Sequence, residues 1–193
     1  AGLTDEQARV RIAGDFAISG FRVFPEYNLV THGCDYFDIP REWTRYVCVD
    51  PGRQVCAALF AAVPPPEEGD HVYFYKELYI YNCTAALFGQ KMAQTCAGEN
   101  FQSFIIDHQG SRVHDSGSGV TIEQQYSKAL RDNKVKSLTT GHNFVWGASD
   151  VVAGVEACRS WLRVREDGTC KLRVFRDRLP NFDWEARRYR NKR

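Results

Sequence analysis

The sequence predicts an α/β domain built on one mixed sheet, part antiparallel meander and part parallel strands, with helices on its faces. Two observations carry this. Three apolar runs, residues 46–49, 54–63 and 71–81, follow one another across Pro51-Gly52 and across Pro64-Pro65-Pro66-Glu67-Glu68-Gly69. Strand, tight turn, strand, loop, strand reads as an antiparallel meander. After the meander, helical spacing alternates with short apolar runs, which is the order of a mixed sheet flanked by helices. At 193 residues the chain is one domain by length and can bury a proper core.

The elements follow in order. Thr4-Asp5-Glu6-Gln7 reads as a capping box opening a short amphipathic helix through Ala8, Val10, Ile12, Ala13 and Phe16. Residues 20–27 read as extended, with Pro25 confining them to an edge or an end. Residues 28–43 read as a long connection, so that residues 1–43 form a lead-in and 44–193 the core. The run 46–49 reads as a strand buried on both faces, closed by Asp50 and the Pro51-Gly52 turn. Residues 84–96 have helical apolar spacing at Ala86, Leu87 and Met92 and stop at Gly98. Residues 101–106 form another short buried strand, ending on Asp107, and a loop follows through His108 and Arg112. Residues 115–119 are a flexible Gly/Ser stretch, and 121–130 a capped helix. Residues 144–146 read as a strand, 149–162 as a helix and 170–175 as a strand. Pro180 starts a final basic helix or tail.

The composition is ordinary, with 44% hydrophobic and 25% charged residues. No apolar run approaches the roughly 20 residues of a membrane span. No basic-then-apolar leader suggests secretion. The seven cysteines are scattered without a C-x-x-C pair, which favours free thiols in a reducing compartment and argues against a structural zinc. Net charge is +1, but residues 159–193 hold 12 Lys/Arg against 5 Asp/Glu, while residues 1–158 hold 13 against 19. A basic end on an acidic domain fits a phosphate-bearing partner; a solvated helix face fits the charge equally.

The chemistry centres on Asp50 and Asp107, each at the C-terminal end of a short apolar strand. Neighbouring strand ends in such a sheet face a common crevice. If the two strands pair in parallel, two carboxylates meet there, and unit charges ~4 Å apart repel by ~4 kcal/mol at an effective dielectric near 20. A cation relieves that repulsion, and an all-oxygen site without Cys or His selects Mg²⁺ or Mn²⁺. A pair of such ions bridged by a carboxylate supports phosphodiester hydrolysis. The competing reading makes both residues plain turn aspartates, since Asp-Pro-Gly is itself a turn signal.

The order and spacing of several segments resemble the nuclease domain of the large terminase subunit of tailed double-stranded DNA bacteriophages. They are Gly20-Phe21-Arg22-Val23-Phe24-Pro25-Glu26-Tyr27, His32 with Asp38-Ile39-Pro40-Arg41-Glu42-Trp43, and Tyr46-Val47-Cys48-Val49-Asp50-Pro51-Gly52. Val72-Tyr73-Phe74-Tyr75-Lys76-Glu77, Phe104-Ile105-Ile106-Asp107, and Leu179-Pro180-Asn181-Phe182-Asp183-Trp184-Glu185 with Tyr189 complete the set. The resemblance implies an RNase H-like fold and Asp50 and Asp107 as catalytic, metal-binding acids with Mg²⁺ or Mn²⁺. It also implies cleavage of concatemeric viral DNA during packaging in the host cytoplasm. Its implied partners are double-stranded DNA, the terminase small subunit, the portal and the packaging ATPase domain. Two departures stand out: no G-x-x-x-x-G-K-[ST] motor loop occurs in the chain, and the family's third acid is expected after Tyr189, beyond Arg193. Asp150, at a helix start, and Asp183 are the substitutes within the chain; a helix cap is the plainer role for Asp150.

Other residues are weighed against plainer roles. Glu77 is read as an outer ligand, as a residue orienting a metal-bound water, or as a surface glutamate. His108 and Arg112 follow Asp107, and Arg53 follows the Asp50 turn; each is a phosphate contact or a solvated side chain. Arg187, Arg188 and Arg190 are the candidate DNA contacts of the basic end. The tyrosines and phenylalanine of residues 73–81 are read as sheet packing rather than base stacking. Two alternatives to the packaging nuclease stay open: a different RNase H-like nuclease such as a junction resolvase, and a DNA-binding or docking module with an incomplete metal site.

Overall fold

The three apolar runs of the meander build the centre of a seven-stranded sheet. The computed structural model describes residues 22–52, 54–108, 110–112 and 119–190. The expected helix in residues 4–16, Arg53 and the Gly/Ser stretch at 115–118 lie outside the described residues. Helix α1 is Leu29–His32 and strand β1 Gly33–Cys34. The meander is β2 Thr44–Asp50, β3 Val55–Val63 and β4 Val72–Tyr81. Then come α2 Ala85–Thr95, β5 Ser103–Ile106, α3 Ile122–Asp132, β6 Val145–Trp146, α4 Val151–Leu162, β7 Leu172–Phe175 and α5 Pro180–Ala186. Strand order is β1-β7-β4-β3-β2-β5-β6. The meander pairs are antiparallel, and β1–β7, β4–β7, β2–β5 and β5–β6 are parallel. This is a mixed α/β sheet of RNase H-like type.

The helices lie where their apolar stripes require. Thr84 and Thr121 cap α2 and α3 through their side chains, and Thr121 and Gln124 close a full capping box. One helical layer buries Phe88, Met92, Tyr126 and Leu130 into the core cluster. At about 25 cal/mol per Å² of apolar surface, each such side chain contributes on the order of 1.5–3 kcal/mol. Helices α2 and α3 touch at Gly89, where an added Cβ would lie 2.6 Å from the Ala129 carbonyl oxygen and 2.7 Å from Asn133 Nδ2. A glycine inside a helix ordinarily costs about 1 kcal/mol relative to alanine. Here the sign reverses: Gly89→Ala is expected to destabilise by about 1–3 kcal/mol, because the obstacle is backbone and the helices must part. A thermal melt checks it, and an unchanged or raised Tm refutes it.

Three expectations are corrected. Residues 28–43 are not a bare connection, since α1 and β1 lie within them and β1 pairs with β7 at the sheet's edge. A two-residue strand has no periodicity to read. Residues 22–27 are not extended throughout: Arg22 makes a single bridge with Arg190, and the chain turns so that the Tyr27 amide donates to Phe24 O at 3.3 Å. Strand β2 is buried on one face only. Arg45, Val47 and Val49 point inward, whereas Cys48 and Asp50 are exposed, because the other face is the floor of a cleft.

Much of the basic end is consumed in holding these pieces together. Arg173 donates to the carbonyls of Thr31 and Gly33, and Arg176 to Gly33. Arg159 pairs with Glu26 and Arg165 with Asp70. Arg178 lies over the Tyr36 ring. His32, fully buried, donates from Nε2 to the last carbonyl of α4, Leu162 O, at 2.8 Å. No helix among the described residues is long and apolar enough to cross a membrane.

Candidate active site

The register of β2 brings the two predicted acids together. Val49 faces Ile106 across the parallel β2–β5 pair, so Asp50 and Asp107 are the next residues on adjacent strands. The Asp107 amide still bonds to Val49 O at 3.3 Å. On the other side of β2, Asp50 faces Ala57 and Ala57 faces Tyr79. One row toward the interior, Cys48, Leu59 and Glu77 line up the same way. Directly opposed residues of a sheet share a face, so these two rows pave one side of it. The small Ala57 in the middle keeps that floor low.

Above the floor is a cleft of roughly 390 Å³, lined by Asp50, Asp107, Glu77, Tyr79, Glu185 and Gly147 among others. Its far wall starts where β6 ends, and the Gly147 amide bonds to Ile106 O at 2.8 Å. Its near wall is α5. Pro180 sits at the first position of that helix, where its missing N–H costs nothing. Phe182 anchors the helix edge-on against Phe74 and Tyr27. Glu185 lies in the last turn of α5, where the helix dipole disfavours a carboxylate; it is not there to stabilise the helix. Tyr79 donates its hydroxyl to Glu185 Oε1 at 2.7 Å, and that contact, before desolvation, pushes the phenol up to about 12.

The electrostatics are those of crowded acids. The Asp50 carboxyl is held above its ordinary range, first by partial desolvation, then by Asp107 and by Glu185. Among the described residues no group of three or more His, Cys, Asp or Glu stands in a ready-made ligand cage. The donor chemistry nevertheless fits a hard divalent cation. All three acids are oxygen donors, and the repulsion felt at Asp50 is what a cation would relieve.

The other candidates fall into place differently. Glu77 neither faces solvent freely nor joins the acids: it accepts from the Asn181 amide and Nδ2 and from the Phe182 amide. Asp150 caps α4, accepting from the Ala153 amide at 3.0 Å, and Asp183 accepts from Tyr27 and Arg187. His108 and Arg112 both lie against the half-exposed Trp146 ring, one residue before cleft-lining Gly147, Arg112 at 5.4 Å from its centroid. Arg187 is tied to Asp183, Arg188 stacks on Trp184, and Arg190 is exposed beside Arg22. Sequence reasoning quoted Glu185 but gave it no role. The available signal was an acid at the unfavourable end of a short helix, which becomes informative only once the helix is docked.

Comparison with solved structures bears on the fold. The nuclease domain of the phage P22 large terminase superposes with a TM-score of 0.61 at 19% identity, covering 89% of this chain and 80% of that one. The chain has the fold of large-terminase nuclease domains. The large terminase of the thermophilic bacteriophage D6E, solved with ATP-gamma-S, gives a TM-score of 0.60 at 14% identity; the match covers 89% of this chain and 41% of that protein. No protein-family model matches the chain, and no curated protein matches it by sequence.

Proposed function

We propose that this terminase-nuclease-like domain is a metal-dependent DNA endonuclease, acting on concatemeric double-stranded viral DNA during genome packaging. The observation that carries the reading is the convergence of Asp50, Asp107 and Glu185 on one low-floored cleft. Asp50 and Asp107 would hold Mg²⁺ or Mn²⁺, with Glu185 as the third acid. A divalent ion held there would lower the pKa of a bound water and stabilise charge on the phosphodiester oxygens. The chain's own residues prepare the place. Ala57 leaves room for a sugar-phosphate backbone, and Tyr79 restrains the Glu185 carboxylate in the metal-free form. Arg53 and Arg112, which follow the two aspartates in sequence, and Arg187, Arg188 and Arg190 after Glu185, would contact phosphates. Such contacts position a duplex without reading its sequence. Small subunit, portal and ATPase domain are the proposed protein partners.

Two observations favour the docking-module reading: Tyr79 engages Glu185, a potential ligand, and no ready-made ligand cage stands among the described residues. Nicking of supercoiled plasmid separates the two readings. The expected result is Mn²⁺-dependent nicking that weakens as salt rises, with binding falling at a log–log slope of about −0.9 per phosphate contact. Arg112→Ala is expected to flatten that slope. A chain that neither binds Mn²⁺ nor nicks DNA is a docking module.

A further inference from the structure

We propose that Glu77 is a positioning residue that clamps α5 to β4 and so sets Glu185 over Asp50 and Asp107; this rests on the metal-site reading above. Helix α5 has seven residues and no side-chain cap of its own at Leu179. A helix that short does not persist unaided. Glu77 supplies the missing cap from another element. Its Oε1 accepts from the Asn181 amide at 2.9 Å and from Asn181 Nδ2 at 2.7 Å, and its Oε2 accepts from the Phe182 amide at 2.8 Å. Both carboxylate oxygens are therefore spent on the first turn of α5.

The same face of the helix carries Glu185, which follows Phe182 and Asn181 by three and four residues. On β4, Tyr79 follows Glu77 by two residues and shares its face. Two strand residues advance about 6.7 Å, and three to four helix residues advance about 4.5–6 Å. Strand and helix thus run side by side with matched spacing. Glu77 holds the first turn, and Tyr79 meets Glu185 in the last at 2.7 Å. In the perpendicular direction, the sheet register puts Tyr79 in line with Ala57 and Asp50. The clamp therefore fixes both where α5 lies and how far Glu185 stands from the aspartates.

The test uses Glu77→Gln and Glu77→Ala in the full chain, each alone and combined with Glu185→Gln. Two readouts are taken: amide hydrogen exchange along residues 181–186, and Mn²⁺ affinity by calorimetry. Both Glu77 variants are expected to speed exchange in α5 while β2 and β5 stay protected, and to weaken Mn²⁺ binding by about 10-fold or more, as loss of an outer-shell partner does. In the Glu185→Gln background the same changes should shift Mn²⁺ affinity less than about twofold, because the effect runs through Glu185. Equal weakening in both backgrounds, or Mn²⁺ affinity within twofold of the parent in E77Q and E77A, would overturn the inference and leave the metal site standing. A parent chain that binds no Mn²⁺ would overturn the metal site and the role of Glu77 together.

Discussion

Asp50→Asn is expected to abolish the stabilisation of the domain by Mn²⁺ while making the metal-free domain more stable at neutral pH. A ligand that binds only the folded state stabilises by RT ln(1 + [L]/Kd), about 2.7 kcal/mol at a hundredfold excess over Kd. In a domain of this size that is a Tm rise of about 5–10 °C. The variant removes one charge at nearly constant volume, so the rise should vanish without loss of fold. The metal-free effect follows from linkage. Desolvation, Asp107 and Glu185 raise the Asp50 pKa above its unfolded value. A raised carboxyl contributes stability that is complete below the unfolded pKa, near 3.9, and is lost as pH rises through the folded pKa. At neutral pH the charged Asp50 therefore works against the metal-free fold, and asparagine relieves it. Melting curves with and without Mn²⁺, at pH 4 and pH 7, read both effects. Equal Mn²⁺ shifts in variant and parent would place the metal elsewhere.

Arg45→Met is expected to cost about 3 kcal/mol or more, a fall in Tm of roughly 6–12 °C, and to leave the Mn²⁺ response intact. Arg45 is 6% exposed at the start of β2. Its two terminal nitrogens donate to the carbonyls of Ile39, Pro40, Arg41 and Trp43 at 2.8–3.2 Å. Its Nε lies 3.4 Å from Glu99 Oε2, and Glu99 also accepts from Tyr75 and Lys76. Methionine preserves the apolar stem but offers no donor, so four carbonyls each lose a donor and Glu99 loses one of its two cationic partners. Unmade bonds to buried groups cost more than made ones contribute. The metal response should persist because Asp50 lies at the opposite end of β2, five residues or ~17 Å away. A Tm within about 2 °C of the parent would mean that water replaces the guanidinium; a lost Mn²⁺ shift would mean that the two ends of β2 are coupled.

The sequence by itself determined the meander and the strand-end positions of Asp50 and Asp107. Apolar runs bounded by turn residues set β2, β3 and β4 to within a residue or two, the capped stretch at 121–130 marked its helix, and Pro180 marked the start of α5. Asp50 and Asp107 could be read as strand-end carboxylates because strand period and turn chemistry act over a few residues. Only the tertiary structure decided which other groups join them. Glu77 and Phe182 are 105 residues apart and Tyr79 and Glu185 are 106 apart; no local rule links them, so only the fold shows Glu77 accepting from the start of α5 and Glu185 lining the same cleft as Asp50 and Asp107. The basic end reads differently for the same reason. Arg173 and Arg176 look like free charge along the chain, but β1 docks beside β7 and its Gly33 carbonyl accepts from both. Charge and hydrogen-bonding capacity are written residue by residue, whereas their use depends on which strand or helix end arrives opposite, and that is set by sheet register and helix docking.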